Sequence, residues 1–311
     1  MKTILVTGGA GFIGSHIVER YQGKAHIRIL DNFRSGNIKN LAGMEYELIE
    51  GDITDRAVVA KAVQGVDYIF HLAAMISVPE SMTEIVECNR INSLGTIVVL
   101  EEAAKAGVKK LVLSTSAAIY GDNPVCPKVE TMFPEPKSPY AITKLDDEYY
   151  CNMFAKEGRL STACLRYFNV FGPRQNPKSA YAAAVPIFIT KALQNEDITI
   201  FGDGEQTRDF IFVKDIAAAN AFMAESEFTG VYNVAYGGRL TINDLAEKIV
   251  KILGSKSKIV HLPERAGDVK HSSACVDKLK STGFKPEFNF DQGLEIAVKA
   301  YRDALLSEQN G

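Results

Sequence analysis

"VTGGAGFIGSH" (residues 6–16) constrains the fold more than any other stretch of this 311-residue chain. It joins an apolar run, "TILVT" (3–7), to a helix-like segment, "FIGSHIVERYQ" (12–22). Gly8, Gly11 and Gly14 follow a G-x-x-G-x-x-G pattern, and Gly9, Gly11 and Gly14 also satisfy G-x-G-x-x-G. Glycines there permit a tight turn and let the backbone approach a pyrophosphate, which the N-terminus of the following helix attracts. Asp31 closes the second apolar run, "IRIL" (27–30), where a dinucleotide fold places a carboxylate on the adenosine ribose. A carboxylate in that place repels a 2′-phosphate and favours NAD over NADP, a preference that nearby Arg34 softens.

Further β-branched runs recur at "YELIEG" (46–51), "DYIFHLA" (67–73), "KLVLST" (110–115) and "ACLRYFNV" (163–170). Most are continuously apolar, as strands buried on both faces of a parallel sheet must be. Helix-like segments at 12–22, 55–63 and 95–107 alternate with them. The pattern predicts an α/β fold, a doubly wound Rossmann parallel sheet, with a smaller C-terminal α/β substrate domain. The boundaries expected are 1–173 for the cofactor domain and 174–311 for the substrate domain, with 208–236 packing back on the large sheet. Amphipathic helices are expected at 241–254 and 290–306, with Thr241 and Asp291 as caps.

Composition narrows the function. With 35 basic and 38 acidic residues the net charge is -3, which gives no electrostatic footprint for nucleic acid or an anionic membrane. The five cysteines are scattered and form no CxxC pair, which argues against a zinc site or a disulfide framework and for a reducing compartment. The most apolar stretch, "AAAVPIFITKAL" (182–193), is short and broken by Pro186 and Lys191, so no membrane span is expected. The N-terminus reads as mature, and a cytoplasmic location is the expectation.

Chemistry-bearing residues cluster after the strand-like runs. "STSAAIYG" (114–121) puts Ser114, Thr115 and Ser116 at the carboxyl end of the fifth run, where open α/β sheets bind ligands. "SPYAITKLDDEYY" (138–150) places Tyr140 and Lys144 four apart, on one helix face. A cationic lysine beside a tyrosine stabilises phenolate and suits it to acid/base work, although such a pair also arises on ordinary amphipathic helices. In "GDITD" (51–55) Asp52 either meets an adenine amino group or, like Thr54, caps the next helix. His71 in "HLAA" reads as a satisfied strand-end histidine, with no second ligand at metal spacing. Asn92 in "NSLGT" reads as a helix-interior turn position.

Taken in order, "TGGAGFIGSH", "DNFRSG", "GDITD", "HLAA", "STSAAIYG", "PYAITK", "RYFNVFGPRQ", "GDGEQTRDFIFVKDI" and "RAGDVKHS" cover nearly the whole chain. The chain resembles the extended short-chain dehydrogenases/reductases, and among them the UDP-glucose 4-epimerase group. The resemblance implies Ser116, Tyr140 and Lys144 as catalytic residues, with Tyr140 as acid/base and Lys144 on the nicotinamide ribose. It implies a cofactor site for NAD drawn from Gly8, Gly11, Phe12, Ile13, Gly14, Asp31, Asn32, Ser35, Gly36, Asp52 and Ile53. Leu72, Ala73, Ala74, Ser114, Tyr140, Lys144 and Phe168 complete that site. On the substrate side it implies Ser116, Tyr140, Asn169, Val185, Phe201, Arg208, Arg265, Asp268 and Ser272. Arg208 and Arg265 would clamp the diphosphate of a UDP-sugar, which guanidinium groups suit by their bidentate geometry, although surface salt bridging also explains an arginine. No metal is implied, and a homodimer through the Tyr140 helix and the 95–107 helix is expected.

Relatives of this kind oxidise a sugar at carbon 4 and differ in the fate of the 4-keto sugar. Dehydratases carry an Asp-Glu pair after the strand hydroxyl and decarboxylases a Glu near it; here those positions are Ala117 and Ala118. The expectation is therefore a UDP-hexose 4-epimerase acting by transient oxidation, rotation of the 4-keto sugar and hydride return. Ser272, small where enzymes restricted to glucose and galactose are bulky, implies acceptance of UDP-GlcNAc/UDP-GalNAc beside UDP-Glc/UDP-Gal. A uronic acid 4-epimerase or a nucleotide-sugar reductase shares the Tyr and Lys, and a non-catalytic dinucleotide sensor is the alternative of another class. Cys275, where relatives often carry Asp, is expected to be a buried structural cysteine.

Overall fold

The computed structural model describes residues 1–177, 183–264 and 270–309. Seven parallel strands form one sheet: β1 (Thr3–Thr7), β2 (His26–Asp31), β3 (Glu47–Glu50), β4 (Tyr68–His71), β5 (Lys110–Ser116), β6 (Ser161–Tyr167) and β11 (Gly230–Val234). Their spatial order is β3-β2-β1-β4-β5-β6-β11. The order reverses between β1 and β4, and at such a switch point the chain leaves a crevice beyond the carboxyl ends of the strands.

Apolar residues alternate between the two faces of these strands. Ile4 and Val6 pack one way, with Ile17 and Val18 of α1 (Phe12–Tyr21) and Ile216 of α8 (Val213–Glu225). Leu5 packs the other way, with Val59 of α2 (Arg56–Ala62), Val98 of α5 (Gly95–Lys105) and Phe154 of α6 (Pro139–Lys156). Both faces are covered, so the strands read as unbroken hydrophobic runs. Only β3 at the edge is largely exposed.

Between β4 and α5 lie two short helices, α3 (Val78–Thr83) and α4 (Ile85–Asn89), and a π-helical turn, Arg90–Leu94. Beyond β6 the chain forms two-stranded pairs. β7 (Val170–Phe171) lies parallel to β10 (Ile211–Phe212), β8 (Ile198–Phe201) is parallel to β13 (Ile259–Leu262), and β9 (Thr207–Arg208) is antiparallel to β12 (Leu240–Thr241). Around them α7 (Ala184–Leu193), α9 (Ile242–Leu253) and α11 (Phe290–Gln309) share a core that contains Phe188, Ile249 and Leu294. A short helix, α10 (Asp277–Ser281), packs through Leu279 on the face of the large sheet that holds α1 and α8.

Two capping expectations need correction. Thr241 does cap α9, with Asp244 closing a capping box. Asn289, not Asp291, caps α11: its carboxamide accepts the Gln292 amide at 2.9 Å while Gln292 returns the bond to the Asn289 amide at 3.0 Å. Asp291 faces outward and pairs with Lys248. At α2 neither Asp52 nor Thr54 is the cap; Asp55 accepts the Ala57 and Val58 amides.

Candidate active site

A cleft of about 2080 Å³ runs along the carboxyl ends of the sheet and under the two-stranded pairs. The glycine turn forms its floor. Gly8 has φ +71, and a Cβ there would lie 2.8 Å from the Ala73 nitrogen, so β1 turns against the end of β4. A Cβ on Gly14 would lie 2.2 Å from the Gly8 carbonyl oxygen, so the first turn of α1 packs on that loop only as glycine. α1 starts at Gly11 with no side-chain cap and no acid in its first turn. Its first amides are therefore open to an anion in the cleft, and this cradle fits a dinucleotide pyrophosphate.

At one end of the cleft Asp31 is buried and accepts the Ala10 amide at 2.9 Å and the Phe33 amide at 2.8 Å. Each oxygen keeps a lone pair for a ribose hydroxyl. Asp52 accepts the Thr54 amide and hydroxyl and the Asn32 amide group. Burial pushes its pKa up, but these bonds and Arg90 outweigh burial and hold it below the usual carboxylate range. Arg34 lines the cleft near Asp31 and pairs with Glu80 at 2.9 Å and Glu87 at 3.3 Å.

The other end is built by β5 and α6. Ser116 caps a 3₁₀ turn, Ala117–Tyr120, accepting the Ala118 amide at 3.1 Å. Ser138 caps α6 with Pro139 in its first turn, which starts the helix one residue before Tyr140. Ser81 of α3 holds the Tyr140 amide at 3.2 Å, and the half-buried Tyr140 side chain lines the cleft. The register of α6 against the sheet is fixed from below. Glu148 accepts the Thr115 hydroxyl at 2.9 Å and pairs with buried Arg166 at 2.7 Å. Lys144 lies buried under the cleft floor and does not line it.

On the far wall Phe168 packs on Tyr120 with centroids 6.2 Å apart. Asn169 donates to the Asp209 carbonyl at 3.2 Å, and Val185, Phe201, Arg208 and Ser272 line the same space. The Ser272 amide donates to the Thr207 carbonyl at 3.1 Å, which ties its loop to β9. Arg265 and Asp268 lie outside the described residues. Apart from those two and Lys144, every cofactor and substrate position named from the sequence lines this cleft. Among the described lining residues the carboxylates are Asp31 and Asp52, both at the first end; none stands near Ser116.

Several positions stand differently from expectation or were missed. Asn92 is fully buried and structural: it clasps the Met75 backbone at 2.7 and 3.1 Å and meets Thr143 at 2.9 Å. Cys275 is half-buried, not buried, and its thiol faces Asp277 at 3.5 Å. Ile76, Val78 and Lys128 also line the cleft. Lys128 comes from a long irregular segment and is placed by backbone bonds to Ser273 and Cys275, a pairing that no local pattern announces. No group of three or more His, Cys, Asp or Glu among the described residues forms a metal site.

A switch-point cleft floored by a glycine turn and lined by Ser116 and Tyr140, with Lys144 buried beneath it, defines a nucleotide-binding Rossmann-type enzyme. The comparisons with known proteins are narrower. The chain belongs to the NAD dependent epimerase/dehydratase family, whose model matches residues 4–235. It is similar to the solved UDP-N-acetylglucosamine 4-epimerase of Methanobrevibacter ruminantium in complex with UDP-N-acetylmuramic acid. The two are 43% identical with a TM-score of 0.93, over 97% of this chain and 99% of that one. The UDP-glucose 4-epimerase of Thermotoga maritima, solved with UDP-glucose, is 38% identical with a TM-score of 0.92 over the same shares. A UDP-N-acetyl-alpha-D-glucosaminuronate decarboxylase of Bacillus cytotoxicus is 33% identical over 97% of this chain and 98% of its own.

Proposed function

We propose that the protein is an NAD-dependent UDP-hexose 4-epimerase acting on UDP-Glc/UDP-Gal and on their N-acetyl counterparts. The observation that carries this reading is the distribution of carboxylates in the cleft. Relatives of similar identity include a decarboxylase, so identity alone does not choose the reaction. The described walls around Ser116 hold hydroxyls, a phenol and alanines but no acid. Among the described residues a 4-keto sugar held there meets no carboxylate suited to proton transfer at carbon 5, and the return of hydride is the step this favours.

Bound NAD supplies a hydride acceptor at carbon 4 and, in the return step, the donor. The glycine turn and the N-terminus of α1 would hold its pyrophosphate, Asp31 its adenosine ribose and Lys144 its nicotinamide ribose. Tyr140 Oη would take the proton of the sugar 4-hydroxyl as hydride leaves carbon 4, and would return it to the carbonyl oxygen when hydride comes back to the opposite face of the turned sugar. Ser116 holds that hydroxyl in line. Arg208, with Arg265, grips the diphosphate, so binding energy is placed on the part that stays fixed and the hexose is free to rotate. Ser272 leaves volume for an acetamido group.

In the same reading residues 1–173 with 208–236 form the cofactor unit and the rest of 174–311 the nucleotide-sugar unit. We also infer a cytoplasmic homodimer. The outer stripe of α6, Ile142, Tyr149 and Met153, is 53%, 60% and 40% exposed, and supports pairing through this helix. No helix among the described residues is long and apolar enough to cross a membrane.

The test is a panel of UDP-sugars incubated with the protein, with product stereochemistry read by NMR. Inversion at carbon 4 without net NAD(P)H consumption is expected for the glucose and N-acetylglucosamine pairs. Net NAD(P)H consumption would make it a reductase, and turnover confined to UDP-uronic acids would move the substrate class. Conversion of UDP-Glc with none of UDP-GlcNAc would remove the role given to Ser272. Light scattering should report a dimer that Tyr149→Glu dissociates.

A further inference from the structure

α6 carries a charge for which the proposed chemistry has no use. Asp147 follows Lys144 by one turn, is 0% exposed, and has a carboxylate oxygen 3.5 Å from the Lys144 ammonium. Neither of its oxygens has a hydrogen bond of good geometry, and Lys144 and the Thr96 hydroxyl are the donors that approach it. A carboxylate so placed is unusual, because burial without hydrogen bonds penalises the ionised form.

Its surroundings come from several elements. Thr7 Oγ1 on β1 accepts the Leu72 and Ala73 amides, both at 3.2 Å, so its own proton goes to His71 Nδ1 at 2.7 Å. His71 therefore carries its proton on Nε2 and donates it to Thr96 Oγ1 of α5 at 3.0 Å. That leaves the Thr96 hydroxyl proton to face Asp147, whose charged form it favours. Burial, and then the Lys144 charge, lower the His71 pKa to about 3, so the imidazole is neutral. Burial raises the Cys88 thiol on α4; contact with Cys151 of α6, together with burial, raises Cys164 on β6. Both thiols thus stay protonated near neutral pH, and Asp146 adds a further negative charge from α6 itself. Lys144 is the cation with which Asp147 pairs.

We infer that Asp147 is a positioning residue for Lys144 and a switchable counter-charge beneath the Tyr140 base. The inference rests on the role proposed for Tyr140 and Lys144. Asp147 engages one side of the ammonium and leaves its remaining donors for a ribose and the phenol side. Ionised, it cancels part of the field that Lys144 exerts on a phenolate; protonated, it releases that field in full. Burial pushes the Asp147 carboxyl up to about 7, against the lowering by Lys144 and Thr96, so the switch operates near neutral pH. As pH falls, Asp147 takes up a proton and Tyr140 holds its phenolate longer.

The experiment compares pH profiles of kcat for native protein and Asp147→Asn, with NAD content measured in both. The native acid limb should be shallower than a single ionisation. In Asp147→Asn it should be a single, steeper ionisation displaced to lower pH by about one unit, the effect of one charge two helical turns from Tyr140. Identical limbs in the two proteins, at equal NAD content, would overturn the inference. A carboxyl-carbon NMR titration of native protein provides a second readout if the variant does not fold. Asp147 should titrate near neutrality, and a carboxylate still ionised at pH 5 would equally overturn it. Loss of turnover in Tyr140→Phe alongside unchanged Asp147→Asn limbs would sink this inference alone, whereas full turnover in Tyr140→Phe would sink the reading beneath it.

Discussion

The two ends of the cleft are built from opposite materials. The Asp31 end is charged and heavily bonded: two carboxylates, the Arg34 pairs to Glu80 and Glu87, and the Arg90 contact with Asp52. Around Ser116 the described lining offers hydroxyls, a phenol and small apolar groups but no carboxylate; Lys128 and Arg208 also line the cleft, and the pairs Lys144 with Asp147 and Arg166 with Glu148 are buried below the surface. In the proposed reading the first end would recognise hydroxyl groups that stay put. In the proposed reaction the second has to let a sugar turn over, and a carboxylate beside Ser116 would open side reactions. Holding and reacting are thus separated along one crevice.

That contrast can be broken in order of effect. Tyr140→Phe should lower turnover by about 10²–10⁴-fold, the usual worth of a positioned acid/base, while NAD affinity measured by fluorescence stays within a few-fold. Gly14→Ala should do the reverse: with a Cβ forced to 2.2 Å from the Gly8 oxygen, NAD binding should weaken by about 100-fold, and residual turnover at saturating NAD should persist. Ala118→Glu would place an acid at the uncharged end. Epimerisation should fall by about tenfold, and deuterium from solvent should enter carbon 5, which NMR of recovered sugar would detect; no incorporation would show that an acid there is without consequence.

A pH test separates the ends from the scaffold beneath them. His71 titrates at about 3 when folded, below its ordinary 6.5, because it is buried neutral beside Lys144. Its contribution is therefore full above pH 6.5 and lost as pH falls toward 3, at about 1.4 kcal/mol per unit. Buried His16 is lowered to about 3 as well, so urea unfolding of native protein should show about twice this slope and His71→Asn should remove about half of it. Asp52→Asn should have the smallest effect, changing NAD affinity only about threefold, since Asn32, Thr54 and Arg90 already occupy the carboxylate. A tenfold change would mean that Asp52 does more than order its own loop.

The sequence makes some of this plain and hides the rest for definite reasons. The glycine turn and the Tyr140 helix are local patterns, and their chemistry follows from spacings within one element. β8 and β13 pair across a long separation and carry only four residues each, so neither run says where its partner lies. α3 and α4 expose Met82, Ile85 and Val86 and bury little, so no helical stripe marks them. "LDDEYY" looks like a solvated acidic patch, yet Asp147 and Glu148 face inward and Tyr149 outward. The helical period starting from Tyr140 and Lys144 does put 147, 148 and 151 on the same side, which is the signal that charge alone masks.

The pairing of β11 with β6 has a consequence for how the chain is made. When Tyr167 leaves the ribosome, β6 is still an open edge, and residues 168–229 must emerge before its neighbour arrives. Open edges of apolar strands invite pairing with other chains. A nascent chain stalled in that interval has the whole glycine turn and Tyr140 in place but an unfinished sheet, and is the form a chaperone would most need to guard.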